Sequence, residues 1–426
     1  MTNDTDLFDA FSAALLPSWP NGHKRHLLLA VSGGGDSMAL LHLASRWAVK
    51  NNFECSVITI DHGLREESAS ESHFVSSVAD TLGLQHQTVN WIGWDGFGNT
   101  QMRARDARYR LIEQHRGERS VVLTAHTLED QAETFLMRLK RGSGVDGLAS
   151  ILPRQYFAFQ QSGYWLLRPF LNIPRQDLRS FLNAEGHDWI EDPTNDDERY
   201  DRIKIRKNMR GLTDLGITHE VLASTASRLA RVRSYMEEQV IHIASLALKI
   251  DNGDILIDLQ NFLFSHKEIQ YRVFSRALNW VASKRYNPRF SSLERTLENV
   301  ISGRAQTLHG CFIHSNKTQI RITREYNAVC DLGVSFTMDC TWDNRWRFIV
   351  KPGVTPKKDW VVKASGVEGV KWIKSNADIN FPFQSLMAHP GIFDGNGVVC
   401  IPNIVENPLV DATFCTKLPM ERSNDY

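Results

Sequence analysis

Ser32-Gly33-Gly34-Gly35-Asp36-Ser37 places three glycines, two hydroxyls and a carboxylate between an apolar run, HLLLAVS (26–32), and a helix-period run, Met38, Leu41, Ala44 and Ala48. A strand that turns into a helix through glycines presents several backbone N–H groups at the helix N-terminus, which is an anion site. No lysine follows, so the loop is not the GxxxxGK[ST] cradle for β- and γ-phosphates. Asp36 repels a phosphate unless a cation lies between them, and Mg²⁺, held by a carboxylate and phosphate oxygens, meets that need. The competing reading is a plain strand-to-helix turn with Asp36 as a cap.

Further chemistry-bearing residues follow later strands. Asp61 and His62 end CSVITID (55–61), and His126, Asp130 and Glu133 come after VVLTAH (121–126). Asp130 and Glu133 are three apart, hence on one helix face, and two carboxylates suit a cationic amine: one to hold an ammonium, one to accept a proton. The alternative for them is a solvated helix start. Gly142-Ser143-Gly144-Val145-Asp146-Gly147 fits GxGxxG by letter but follows a helix instead of a strand, so it reads as a helix C-terminus and loop.

These residues need a scaffold, and the alternation of β-rich runs with helix-period segments from 26 to about 190 predicts a parallel sheet with crossover helices. HLLLAVS, CSVITID, HQTVNWI (86–92) and VVLTAH are the expected strands, with helices over Phe74–Leu82 and Leu128–Leu139 and another from Pro174 to Gly186. Leu222, Ala226, Leu229, Val232, Met236, Val240, Ile243 and Ala247 then hold a 3.6-residue period, predicting one long helix. Ser265 with Glu268 and Ser291 with Glu294 match capping boxes for two more helices. TQIRIT (318–323), WRFIV (346–350) and two short runs around Gly395-Asn396-Gly397 read as strands.

The expected fold is therefore α/β: a parallel doubly wound N-terminal domain (1–212), a mainly helical middle domain (213–330) and a small, mostly β C-terminal domain (331–426). A length of 426 residues suits two or three such units. Composition is that of an ordinary globular protein, 42% hydrophobic and 23% charged, with no run long enough for a membrane span and an acidic start unlike a secretory signal. Six cysteines without a CxxC pair or a matching histidine point to free thiols in the cytoplasm and away from a zinc site. Lys+Arg and Asp+Glu are equal at 49 each, but six of the twelve residues 199–210 are basic. Arg202, Arg206 and Arg210 form one stripe if helical, able to track phosphates. Arg103, Arg105, Arg108 and Arg110, and Arg138, Lys140 and Arg141, make further basic patches; for Arg105 and Arg108 a solvated face is the plain alternative.

The SGGxDS loop after the first strand resembles that of the N-type ATP pyrophosphatases. DHGLR (61–65), ARDARY (104–109), TAHTLEDQAETFLMRLKRGSGVDGL (124–148), LLRPFL (166–171) and DPTNDDERYDR (192–202) narrow the resemblance to the tRNA(Ile)-lysidine synthetases, densely over 26–210 and loosely beyond. The resemblance implies an adenine-nucleotide alpha-hydrolase-like domain and a ligase that adenylates C2 of the wobble cytidine of a CAU-anticodon tRNA. Free lysine then displaces AMP to give lysidine. It implies ATP and Mg²⁺ as cofactors, with ATP at Ser32, Gly33, Gly34, Gly35, Asp36, Ser37, Asp61 and His62, and the metal on Asp36. Asp36, Asp130, Glu133 and His126 are the expected catalytic residues, with Arg105, Arg108, Arg141, Arg202 and Arg206 for substrate. A homodimer is left open.

This chain departs from the family pattern in three places. It has Glu129-Asp130 for two aspartates, Gln101 for a glutamate, and Ile203 for an asparagine. Of the alternatives, tRNA thiolation is disfavoured because Cys55 is alone in the first domain, and amidotransfer because no glutaminase unit is seen. A non-catalytic nucleotide- or RNA-binding module has no use for carboxylates facing phosphate.

Overall fold

The computed structural model describes residues 4–61, 63, 68–91, 100–117, 120–158, 162–191, 201–284 and 286–415, in two compact units that divide between Ser234 and Tyr235. The first unit opens with α1 (Asp4–Leu15), β1 (His26–Ala30), α2 (Gly35–Asn51), β2 (Glu54–Asp61), α3 (Ser68–Thr81), β3 (Gln85–Asn90) and α4 (Thr100–His115). It continues through β4 (Val121–Leu123), α5 (Leu128–Lys140), α6 (Val145–Leu148), β5 (Arg154–Ala158), β6 (Gly163–Leu167), α7 (Arg175–Glu185) and α8 (Asp201–Asp214). The sheet runs β3-β2-β1-β4-β6-β5, with every neighbouring pair parallel except β5 with β6.

Alternation along β1 explains why helices cover both faces. Leu27, Leu29 and Val31 turn to one side and pack with Phe11 of α1, Leu40, Leu43 and Trp47 of α2 and Leu178 of α7. Leu28 turns to the other and joins Ile58, Val122 and Leu166 beneath Tyr109 and Ile112 of α4. Fully burying each such side chain stabilises the fold by about 1.5–3 kcal/mol. Strand order reverses beside β1, with β2 on one side and β4 on the other. The loops after β1 and β4 therefore open at the switch point, at the carboxyl edge where such sheets bind ligands.

The doubly wound class expected from the sequence is what forms, and the GxGxxG stretch is, as expected, a helix end: Gly142 has φ 69° after α5, and Val145–Leu148 is a single turn. Helix α9 (His219–Ala247) is the long helix read from the 3.6 period.

In the second unit β7 (Leu248–Asp251) and β8 (Asp254–Asp258) form a hairpin, followed by α10 (Leu259–Phe264), α11 (Lys267–Ala282), α12 (Phe290–Ile301), β9 (Gln306–Leu308), β10 (Cys311–Ser315) and β11 (Gln319–Arg324). The five strands pair as β7-β8-β11-β10-β9, wholly antiparallel, and Val273, Phe274, Leu278, Leu293 and Leu297 of α11 and α12 pack with Ile255, Ile257, Ile313 and Ile322 of the sheet. The stretch read as helical thus carries a sheet as well. Both expected capping boxes are displaced: His266, not Ser265, caps α11 through Nδ1, and α12 already begins at Phe290, ahead of Ser291.

The remainder is β12 (Gly333–Ser335), β13 (Asp339–Trp342), β14 (Trp346–Val350), β15 (Val361–Ala364), α13 (Gly366–Asn376), α14 (Phe383–Ala388), β16 (Pro390–Asp394), β17 (Gly397–Cys400) and β18 (Val410–Phe414). It makes two small antiparallel sheets, and the Gly-Asn-Gly stretch is the β16–β17 turn. Among the described residues no helix is long and apolar enough to cross a membrane, and all six cysteines are free thiols.

Candidate active site

Gly33 is the first residue after β1 that only glycine suits: its φ is 88°, and a Cβ there would come within 3.1 Å of Ile190 Cδ1. Trp189 crowds Gly35 in the same way, at 3.3 Å, and the Ile190 amide donates to the Gly33 carbonyl at 2.9 Å. The segment after α7 is therefore strapped over the glycine loop. Ser37 ties the loop together, its hydroxyl donating to the Gly34 carbonyl at 2.8 Å and accepting the Ser32 amide at 3.2 Å. The first amides of α2 have no partner within the helix, and no side chain caps them. The nest and the helix dipole face the open edge together.

Asp36 stands in that first turn, and the cation beside it is a guanidinium: Arg175 Nε donates to Oδ2 at 2.9 Å. Arg175 begins α7, and its backbone N–H is taken by both oxygens of Glu129, each at 3.0 Å. The same guanidinium lies 3.5 Å from Asp130 Oδ1. Asp130 is also a helix cap, since Oδ2 accepts the Thr127 amide at 2.9 Å. Asp130 is buried, not solvated: one oxygen secures the helix start and the other faces Arg175. Glu133, only 1% exposed, is gripped by Arg202 at 2.9 Å and Arg206 at 2.5 Å from α8. One chain of alternating charge thus links four helices, from Asp36 through Arg175, Asp130, Arg202 and Glu133 to Arg206.

Burial pushes the Asp36 carboxyl above its ordinary value, against the pull of Arg175. Burial does the same to Glu133 despite Arg206. At Asp130 burial also opposes the charged form, but positive neighbours, Arg202 and Arg175 among them, and the Thr127 amide outweigh it and hold the carboxyl low. Arg175 goes the opposite way: burial works against its charge, and Asp36 and Asp130 more than restore it. His126 keeps some exposed surface, yet burial, with Arg168 next, lowers it to about 3, so the ring is neutral at physiological pH. Its Nδ1 is 3.0 Å from Thr124 Oγ1.

The residues expected at a site thus divide. Ser32, Gly33, Gly34, Gly35, Asp36 and Ser37 form one nest, and Asp130, Glu133, Arg202 and Arg206 join Asp36 through Arg175. Asp61 ends β2 as foreseen and accepts the Gly63 amide at 2.8 Å, a local turn; His62 lies outside the described residues. Arg105, Arg108 and Arg141 are exposed, with Arg105 5.4 Å from the Tyr109 ring centre and its charge felt at His126. Of the family departures, Glu129 keeps an acceptor pair for Arg175, Ile203 is buried in α8, and the side chain of Gln101 lies outside the described residues. Sequence reasoning missed Arg175, the Trp189-Ile190 strap and buried Arg168, which donates to the Leu152 carbonyl at 2.6 Å. Arg168 stands in LLRPFL, and Arg175 directly follows the proline read as a helix start, so both were in reach.

Among the described residues no group of three or more acidic, histidine or cysteine side chains converges as a ready metal site. What fits Mg²⁺ is narrower: a single carboxylate whose Oδ1 accepts no hydrogen bond among the described residues, beside an amide nest for phosphate, which matches the way Mg²⁺ is shared between a protein carboxylate and substrate phosphates.

A parallel sheet with an amide nest at its switch point, an acidic residue in the nest and no Walker lysine defines a PP-loop nucleotide-binding domain, and residues 9–212 match the PP-loop domain family. A tRNA(Ile)-lysidine synthase of Ruegeria pomeroyi is 40% identical over 380 residues, 89% of this chain and 88% of that protein. Those of Orientia tsutsugamushi and Wolbachia pipientis are 32% and 35% identical, over 89% and 76% of this chain and 89% and 77% of theirs. This chain belongs to the tRNA(Ile)-lysidine synthase family: it is an ATP-using ligase of tRNA modification.

Proposed function

We propose that this chain joins free lysine to C2 of the wobble cytidine of a CAU-anticodon tRNA(Ile), through an adenylated cytidine, with release of diphosphate and then AMP. The observation that carries the reading is the shared edge: the Gly34–Ser37 amides, Asp36 and the Asp130/Glu133 pair are one connected charge system. The amides bind the β,γ-diphosphate as it departs, where fixed donors contribute most. Asp36 would hold Mg²⁺ through Oδ1, and that ion would neutralise charge on the leaving group.

Asp130 and Glu133 receive the lysine, one holding an ammonium and the other taking the proton that the amine loses as it attacks. Both are claimed by arginines before substrate arrives. Lysine therefore competes with Arg175, Arg202 and Arg206, and the phosphates of ATP or tRNA are the anions that satisfy the guanidinium groups it frees. His126, neutral and too weak a base to carry the proton at pH 7, serves as a fixed hydrogen-bonding ring. Arg105, Arg108 and Arg141 add exposed positive charge for the RNA backbone. We place the enzyme in the cytoplasm, where its tRNA is.

Sulfur transfer is disfavoured by chemistry: burial pushes Cys55, alone in the first unit, up to about 12, far from a reactive thiolate. The test is diphosphate release from ATP and Mg²⁺, with and without CAU-anticodon tRNA and lysine. Dependence on tRNA, with labelled lysine appearing in the RNA, is expected; release indifferent to both overturns the reading.

A further inference from the structure

The second unit holds a cavity of about 260 Å³ lined by His314 and Ser315 of β10, Asn316, Gln319 and Arg321 at the start of β11, and Asn380, Phe381 and Pro382 ahead of α14. Its size lies just below the usual range for small-molecule sites, suited to a planar ring system and too small for a whole dinucleotide. His314 and Arg321 are direct cross-strand partners, so both side chains stand on one face of the sheet. Phe381 closes the other side, its ring centre 5.0 Å from the Arg321 guanidinium.

The charges around the cavity cancel. Arg321 donates to Asp254 at 2.7 Å and Asp251 at 2.6 Å, so it offers no net positive field to a phosphate, and neither carboxylate is left for a metal or an amine. What remains unused is neutral hydrogen-bonding capacity. His314 Nδ1 is buried and has no hydrogen-bond partner, which in a folded interior calls for an explanation. Gln319 and Asn380 direct no side-chain bond to any described residue. Asn316 spends its oxygen on the Thr318 and Gln319 amides, both at 2.9 Å, and keeps its NH₂. Burial holds His314 below its ordinary value, so its ring is neutral and offers one donor and one acceptor.

An uncharged slot with an aromatic wall, a guanidinium plane and unpaired amide and imidazole groups matches the way single-stranded RNA bases are bound, by stacking and by edge hydrogen bonds. We propose that this cavity receives one unpaired nucleobase of the RNA substrate, at a site separate from the ATP-binding unit. The assignment rests on the reading that the substrate is a tRNA.

The test uses the full chain and CAU-anticodon tRNA. Asn380 is exposed and Gln319 half-buried, so Asn380→Ala/Gln319→Ala leaves the fold intact; Phe381→Ala is the second variant. Each is expected to weaken tRNA binding roughly tenfold, the scale of one lost base contact, with the Kd for ATP and kcat at saturating tRNA unchanged. Abasic substitution at each unpaired tRNA nucleotide in turn should reveal one position where wild type and variant bind equally. Equal tRNA binding by wild type and both variants overturns the inference, as does a loss with no coupled abasic position. Occupancy of the slot by a free nucleoside that leaves tRNA affinity unchanged also overturns it. Failure of lysine incorporation by the wild type would sink the functional reading instead, and the abasic series, which measures binding alone, separates the two.

Discussion

Arg324 meets Asp343 through two parallel contacts of 2.8 and 2.9 Å, with the partners 8% and 5% exposed. Arg202 and Arg206 crowd a single buried Glu133 while remaining 39% and 30% exposed themselves, and Arg175 divides one guanidinium between Asp36 and Asp130. The first arrangement, in the second unit, is bidentate, with the remaining Nη1 of Arg324 donating to the Gly310 carbonyl at 2.8 Å, so both charged partners are satisfied within the fold. The second, at the sheet edge, is shared and part-exposed at its arginine ends, where anions can reach it. A pair that is complete by itself serves the fold. A chain of charges that a phosphate or an ammonium could re-partner is what the proposed chemistry needs.

Breaking each arrangement should give opposite results. Arg324→Ala leaves Asp343 buried and unpaired, so the second unit is expected to lose about 3–5 kcal/mol in urea unfolding. The ATP-dependent half of the reaction in the surviving folded molecules should be unchanged. Activity lost ahead of unfolding would mean that this pair serves the reaction as well as the fold. Asp36→Asn is the converse: shape is kept and charge removed, so diphosphate release should fall roughly 10²- to 10³-fold, the scale of one lost transition-state electrostatic contact, while the unfolding midpoint stays within error. Wild-type turnover in Asp36→Asn would mean that the nest needs no carboxylate.

Glu133→Gln sharpens the comparison inside the site. A charge-assisted contact to lysine is worth about 1.5–3 kcal/mol, so KM for lysine should rise by roughly 10- to 100-fold, while KM for ATP stays near the wild-type value. A change confined to ATP would move Glu133 to the nucleotide side of the site.

The two regions also differed in how much their sequence disclosed. Around the glycine loop, local rules agree with the fold: an apolar strand, glycines where φ is positive, and a helix-period run. Asp36, Asp130 and Glu133 could be singled out for that reason. Arg175 could not be assigned to Asp36 from spacing, because 139 residues separate them and only the packing of α7 beside α2 unites them. In the second unit, LKIDNGDILID carries the Asn-Gly signal of a two-residue hairpin, and Asn252 and Gly253 do have φ of 50° and 93°. The helix period of α9 runs straight into that signal and masks it. The displaced cap of α11 has a physical cause too: a histidine nitrogen accepts the Glu268 amide as a serine hydroxyl would, and no rule for serine and threonine caps anticipates that.

A last and smaller effect separates stability from catalysis within the first unit. His42 lies on α2, two turns beyond Asp36, buried and stacked on His187 with ring centres 3.6 Å apart and planes 5° from parallel. Burial, helped by the His187 and Arg46 charges, lowers His42 from 6.5 to about 4. The folded state therefore binds fewer protons than the unfolded chain between those values, and stability, complete above pH 6.5, is lost as pH falls toward 4. At pH 5 the loss should be about 2 kcal/mol relative to pH 7. His42→Phe keeps a ring on His187 but removes the titrating nitrogens, so its unfolding free energy should show that much less dependence on pH between 5 and 7. If the variant keeps the wild-type slope, the acid sensitivity of this unit lies in the other histidine that burial lowers strongly, His126, at about 3, since Asp36 and Glu133, whose carboxyls are raised, gain stability on acidification.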